Sequence, residues 1–444
     1  MKQKSIMVPA AGLLAALVAT LSACSNVGQT AETASGAPVA TAPSPTSTAR
    51  MPSSIAAAVP GKPAVEKTFT PPPPIKFEDA VARAGAQLFQ DAKAELGDEP
   101  RPVVVDPLID ANTGAQTEST EQMGKKLESV LKARQVAWKV KPLTRQTLAD
   151  QPLLLIGTLT PVNIERSIDK QPDAFRIWLT LIDLRTNRVV AKQLDRSTVE
   201  SVNAKPLRYF SDSPTWHKDK TVLGYINSCQ VNTKIGDMAD PEYLARLPAA
   251  AVINEAMMAY NVAAESDNKD KLLTANRLYK EAQNLADPGD LRVLNGLYLT
   301  SWQLGQRDQA QQAFGKLVAS GLEAKKLPIK LLFKPGGTTF NDVGDLSTQY
   351  QIWLSSIAQE ASNVPACVKI VGHTSRTGSA SVNEKLSLRR AEAVAKLLES
   401  RNRSLTTRLT VGGAGSREAL VGLGTDDVRD ALDRRVEFRV VDCI

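Results

Sequence analysis

The stretch from Val368 to Val394 constrains this chain most. The apolar run Val368 to Val371 reads as a short strand, a loop opens at Gly372, and a helix is expected from near Lys385. In that helix Leu388, Ala391, Ala395 and Leu398 fall at helical spacing and predict one buried stripe, while Arg389 and Glu392 point elsewhere. The loop and the helix start are therefore expected to face solvent.

The loop reads Gly372, His373, Thr374, Ser375, followed by Asn383, then Leu386, Ser387, Arg390 and Ala391 on the helix. Further on come Arg408-Leu409, Gly413-x-Gly415 and Asp433-Arg434-Arg435-Val436. This series, over roughly residues 329–444, resembles the OmpA-like peptidoglycan-binding domain, whose pattern is a Gly-His-Thr-Asp loop, an Asn, and Leu-Ser-x-x-Arg-Ala. The resemblance implies an α/β domain that takes a peptidoglycan stem peptide, with Thr374, Ser375, Asn383, Arg390 and Arg434 as its binding residues. A stem peptide offers carboxylates and a zwitterionic diamino acid, so its site needs both signs of charge. Arg390 suits a bidentate clamp on a carboxylate, and Asn383 suits the peptide backbone. Ser375 stands where the family has an acid to meet the ammonium, and a hydroxyl brings no charge. Two readings stand: weaker or altered ligand preference, or a site kept for its fold.

Residues 1–24 carry Lys2 and Lys4, an apolar run from Ile6 to Leu21, and then Leu21-Ser22-Ala23-Cys24. This reads as a bacterial signal peptide, too short for an ordinary membrane span. The last four residues resemble a lipobox, which implies lipidation at Cys24; the other reading is a plain secretory signal with a chance cysteine. Multiple acyl chains would anchor stably, and Ser25 rather than an Asp implies the outer membrane. Residues 25–74 are rich in Ala, Pro, Ser and Thr, almost without charge before Arg50, and cannot bury a core. They form a tether, reaching on the order of 40 Å as a flexible coil.

The remainder, in a chain of 444 residues that is 43% hydrophobic and 23% charged, suffices for two or three domains. Net charge is +7, and no basic run is interleaved with aromatics, which argues against nucleic acid. Cys367 and Cys443 sit at the start of one expected strand and the end of another, so an oxidising compartment would allow them to bridge. Cys229 is then left over and is expected to be buried.

Residues 75–235 open with a helical pattern, Phe77 to Glu95, and then alternate. Val103 to Val105, Val136 to Val140 and Leu153 to Leu159 read as strands, with a helix at Glu121 to Arg134 capped by Ser119 or Thr120. Phe175 to Leu184 and Val189 to Leu194 read as a hairpin. This order implies a mixed-sheet α/β domain. In order of elements it looks like the domain shared by FlgO-type flagellar lipoproteins, LpoB-type activators of penicillin-binding proteins and the CsgG family, which implies a protein-binding module. Asp106 and Asp110 read as solvated loop residues rather than a metal or acid-base pair, since no histidine accompanies them.

Residues 245–325 turn helical. An offset of 35 aligns Ala275 with Ala310, Tyr279 with Phe314 and Ala282 with Leu317, which resembles a tetratricopeptide-like repeat. A plain helical spacer and a peptide-binding groove both remain open.

The chain's two histidines, His217 and His373, lack catalytic company, and no phosphate loop, nucleophile elbow or Cys-x-x-Cys is present. No enzyme activity, metal or cofactor is expected. The expected fold class is α/β multidomain: a mixed-sheet α/β domain, a helical segment and a C-terminal OmpA-like α/β domain. The expected function is an outer-membrane lipoprotein that binds peptidoglycan and organises a periplasmic complex with an envelope protein partner. The alternative is a regulator or assembly factor for a wall synthase or an envelope-spanning machine.

Overall fold

The computed structural model describes residues 72–443, apart from 98, 134–137, 164–170, 343–345, 426 and 428. The signal-like segment, Cys24 and the tether up to residue 71 lie outside the described residues.

The first sheet is built around one strand whose sequence is apolar on both faces. Helix α1 (Phe77–Leu96) leads into β1 (Pro102–Val105), β2 (Ile109–Asp110), α2 (Glu118–Ala133), β3 (Lys139–Pro142) and α3 (Arg145–Ala149). Strands β4 (Leu153–Val162), β5 (Ala174–Asp183) and β6 (Arg188–Thr198) follow. Strand order is β3-β1-β4-β5-β6, with β2 also beside β4. The β3, β1 and β4 pairings are parallel, and β4 to β6 form an antiparallel meander. The expected mixed sheet and hairpin are both present.

Strand β4 runs buried from Leu153 to Thr160 because both faces are covered, as a continuous apolar run requires. On one face Leu153 and Leu155 meet Val81, Leu88 and Phe89 of α1 and Met123 and Leu127 of α2. On the other, Leu154 and Ile156 meet Tyr225 and Ile226 of α5 (Lys220–Cys229), which follows the short α4 (Arg208–Asp212). The start of α2 is held one turn earlier than its spacing implies. Thr117 and Thr120 exchange backbone and hydroxyl hydrogen bonds at 2.8 and 3.2 Å, while the Ser119 hydroxyl accepts from Asn203 N at 2.8 Å.

Asp106 and Asp110 are not solvated. Asp106 is buried and accepts from the Tyr243 hydroxyl at 2.5 Å, and burial pushes its carboxyl up to about 6. Half-buried Asp110 caps its own turn by accepting from Asn112 N, Thr113 N and the Thr113 hydroxyl. Their partners come from packing and turn chemistry that the two-carboxylate spacing does not show. Cys229 is buried, which raises its thiol to about 11.

A helical array follows: α6 (Pro241–Ser266), α7 (Lys269–Ala282), α8 (Leu291–Gln303) and α9 (Arg307–Glu323). Asp240 caps α6 by accepting from Glu242 N and Tyr243 N, with proline at the first helical position. The six residues aligned at the 35-residue offset are all fully buried, on matching inner faces of α7 and α9.

The array shares its core with the second sheet. Tyr298 of α8 donates to Gln349 and accepts from Trp353 Nε1, both at 2.6 Å and both residues on α10 (Leu346–Asn363). Val368, Ile370, Val436 and Phe438 complete the same cluster. They belong to β8 (Cys367–Gly372) and β10 (Arg435–Val441), which stand with β7 (Lys330–Leu332) and β9 (Leu409–Gly413) in the order β7-β10-β8-β9. Helix α11 (Ala380–Arg401) packs on β8 and β9. Residues 214–216 lengthen the β7 edge, through Lys330 N to Pro214 O at 2.9 Å and Trp216 N to Pro328 O at 2.6 Å.

Cys367 opens β8 and pairs in register with Val441, which brings Cys443 within a Cα separation of 5.0 Å, and the two sulfurs are bridged. Mass mapping of non-reduced peptides from protein purified without reductant is expected to find Cys367 linked to Cys443. Two free thiols there would remove the bridge.

Candidate functional site

The site lies where β8 ends against α11, and glycine makes that approach possible. A Cβ on Gly372 would stand 1.9 Å from Ser387 O, and one on Gly413 would stand 2.8 Å from Glu384 O. Ser387 turns its hydroxyl to Glu384 O and accepts from Gly415 N at 3.0 Å. Gly372, Ser387, Gly413 and Gly415 thus form one packing knot that fixes helix against sheet.

Helix α11 starts at Ala380, earlier than the spacing implies, with the Ser379 hydroxyl accepting from Val382 N. Its inner face is Asn383, Leu386, Ser387, Arg390, Ala391, Val394, Ala395 and Leu398; Leu388, expected inside, is 37% exposed. The first two turns of that face are largely polar, so apolar spacing places the stripe one position off. The loop also begins buried. His373 N donates to Arg435 O and Thr374 N to Gly415 O, so sheet pairing continues past Gly372 and exposure starts only at Thr377.

Four of the five residues expected in the binding set, Thr374, Ser375, Asn383 and Arg390, lie on this loop or bond to its backbone, and the fifth, Arg434, reaches Phe333 and Asp427. Asn383 donates to Ser375 O at 3.3 Å and to Thr377 O at 3.0 Å. Arg390 is 1% exposed, and its guanidinium donates to His373 O and Gly337 O at 2.9 Å and to Lys334 O at 3.0 Å. It also lies 5.2 Å from the centre of the Phe333 ring. Arg434, buried beside it, donates to Phe333 O and Asp427 O. Thr374 and Ser375 are buried, and the Thr374 hydroxyl has no hydrogen-bond partner.

Loop Lys334–Thr339 therefore covers Arg390 with carbonyls. A ligand carboxylate entering here would replace Lys334 O and Gly337 O on the guanidinium, exchanging two neutral acceptors for a charged one. The covering residues Phe333, Lys334 and Gly337 have no local signal in the sequence, being 53 or more positions from Arg390. Asp433 was also not foreseen in its role: it gathers Leu420 N, Val421 N and Gly422 N, and so shapes the segment beside Arg376.

No curated protein matches the chain. Among solved structures, the peptidoglycan-associated lipoprotein from Burkholderia pseudomallei is similar at 25% identity and a TM-score of 0.22, covering 25% of this chain and 89% of that one. The cell wall anchor of the T6SS from Pseudomonas aeruginosa is similar at 24% identity and a TM-score of 0.22, covering 30% of this chain and 97% of that one. The LpoB C-terminal domain from Salmonella enterica is similar at 12% identity and a TM-score of 0.20, covering 28% of this chain and 98% of that one. Residues 332–431 match the model of the OmpA family, a span that includes the Gly372–Ala391 motif and ends before Asp433–Val436.

Proposed function

We propose that this chain is a non-enzymatic envelope anchor, held to the outer membrane by lipid on Cys24 and gripping peptidoglycan through residues 329–444. The rest of its folded part holds a periplasmic or envelope protein partner. The observation that supports this reading is that Asn383 and Arg390 both donate to the backbone of the buried loop that carries Thr374 and Ser375, inside the region that matches the OmpA family. The exposed run Thr377–Val382 gives a stem peptide its approach to that loop.

The test is co-sedimentation with purified peptidoglycan at two salt concentrations. It uses the whole folded chain, because the C-terminal sheet shares its core with the helical array. Wild type is expected to sediment. Ser375→Asp is expected to sediment more strongly, since a carboxylate meets the ligand's ammonium where the hydroxyl brings no charge. In cells, Cys24→Ala is expected to move the protein to the soluble fraction. A wild type that stays in the supernatant at both salts, with Ser375→Asp no different, would overturn the wall reading.

The regulatory reading is favoured by a separate observation. Met258 and Val262, one turn apart on α6, and Leu273 on α7 are 49, 46 and 46% exposed, and exposed apolar side chains suit a protein partner. Loss of a specific envelope partner from the captured chain on Val262→Asp would support it.

A further inference from the structure

We infer that His373, Glu418 and Glu437 form a binding site for a divalent transition metal ion, with Zn2+ the best match to the ligand types. Among the described residues, these are the one group of three whose ligand atoms lie within 4.8 Å of one another. The Nδ1 atom of His373 is 3.9 Å from Glu418 Oε2, and its Nε2 atom is 3.7 Å from Glu437 Oε2. Both separations exceed a hydrogen bond, so the ring makes no direct bond to either carboxylate, and the three groups stand near enough to close on one ion with ligand distances of about 2.0–2.2 Å.

The imidazole is the independent sign of a ligand. His373 is fully buried, and neither ring nitrogen has a hydrogen-bond partner. A buried polar atom left so is costly, and an unseen ion is one of the few explanations. One ring nitrogen would bind the ion beside the two carboxylates, with water completing the shell. Glu418 and Glu437 are 46 and 22% exposed and open the way in. The three ligands come from the loop after β8, the segment after β9, and β10, so no spacing in the sequence displays them.

Two guanidinium groups already hold these carboxylates. Arg435 Nε is 2.6 Å from Glu437 Oε1, which leaves Oε2 facing the histidine, and Arg439 Nη2 is 2.5 Å from Glu418 Oε2. Their positive charge opposes the ion and competes with it for the carboxylate oxygens. Removing exposed Arg439 should therefore strengthen metal binding, which no purely structural role would do. Because Arg390 donates to His373 O, the ion would also pin the base of the candidate wall-binding loop.

The test uses metal-free protein from residue 24 onward, with Cys24→Ser so that no tether thiol competes. Zn2+ titration by calorimetry is expected to give one ion per chain, and Co2+ an absorption spectrum without a thiolate band. Glu418→Gln replaces a charged ligand with a neutral one and is expected to weaken binding by at least about tenfold. Arg439→Gln is expected to tighten it. His373→Asn would disturb a buried position, so the exposed Glu418 and Arg439 variants carry the decision. Absence of saturable one-to-one binding, or binding that Glu418→Gln leaves unchanged, would overturn the site.

Discussion

Replacing Arg390 with alanine is expected to lower the unfolding free energy by roughly 3–5 kcal/mol, whatever it does to wall binding. The guanidinium sits 1% exposed and satisfies three carbonyls, His373 O, Gly337 O and Lys334 O, from two separate segments. Alanine leaves those acceptors unpaired, opens a cavity against Phe333, and lets Lys334–Thr339 detach. Arg390→Lys should recover only part, because one ammonium cannot present the planar fork that reaches all three. Denaturant unfolding followed by circular dichroism reads the difference. A loss below about 1 kcal/mol for Arg390→Ala would mean that the guanidinium is not held as described. A drop in wall co-sedimentation by this variant alone therefore does not separate binding from folding, and Ser375→Asp is the cleaner probe.

How far the fold was legible depended on whether its cause was local. Strand β4 and the β5–β6 hairpin showed in the sequence because continuous burial and alternation leave period-two and apolar signals. The strand-loop-helix unit also showed, and of the residues that the family pattern named, Thr374 and Ser375 lie on its loop while Asn383 and Arg390 bond to that loop's backbone. What the loop does with them did not show. Asn383, Ser387 and Arg390 occupy the inner face of α11, and polar residues on an inner face break the apolar rhythm that otherwise marks burial. Asp106 was misjudged for a related reason: the tyrosine that buries and bonds it lies 137 positions away. Partners supplied by tertiary packing leave no mark near the residue they satisfy.

Lys330→Met is expected to stabilise the protein by roughly 2–4 kcal/mol at neutral pH, a sign opposite to that of most core substitutions. Lys330 stands on β7 at the seam with residues 214–216 and is 5% exposed. Its ammonium lies 3.4 Å from Phe210 O and 4.9 Å from the Trp216 ring centre, and among the described residues no carboxylate pairs with it. Glu437, opposite it in register, already pairs with Arg435. Burial alone lowers the amine to about 7. The folded chain then binds fewer protons than the unfolded chain between about pH 7 and the ordinary lysine value of about 10.4, so this group's contribution to stability rises with pH through that window. Methionine keeps the unbranched stem against Trp216 and removes the charge. The gain of the variant over wild type should therefore be largest at pH 6 to 7 and shrink towards pH 10. Denaturation midpoints of both proteins at pH 6.5 and pH 10 decide it, and a difference that is negative, or equal at the two values, would show that the ammonium is solvated or paired in the folded chain.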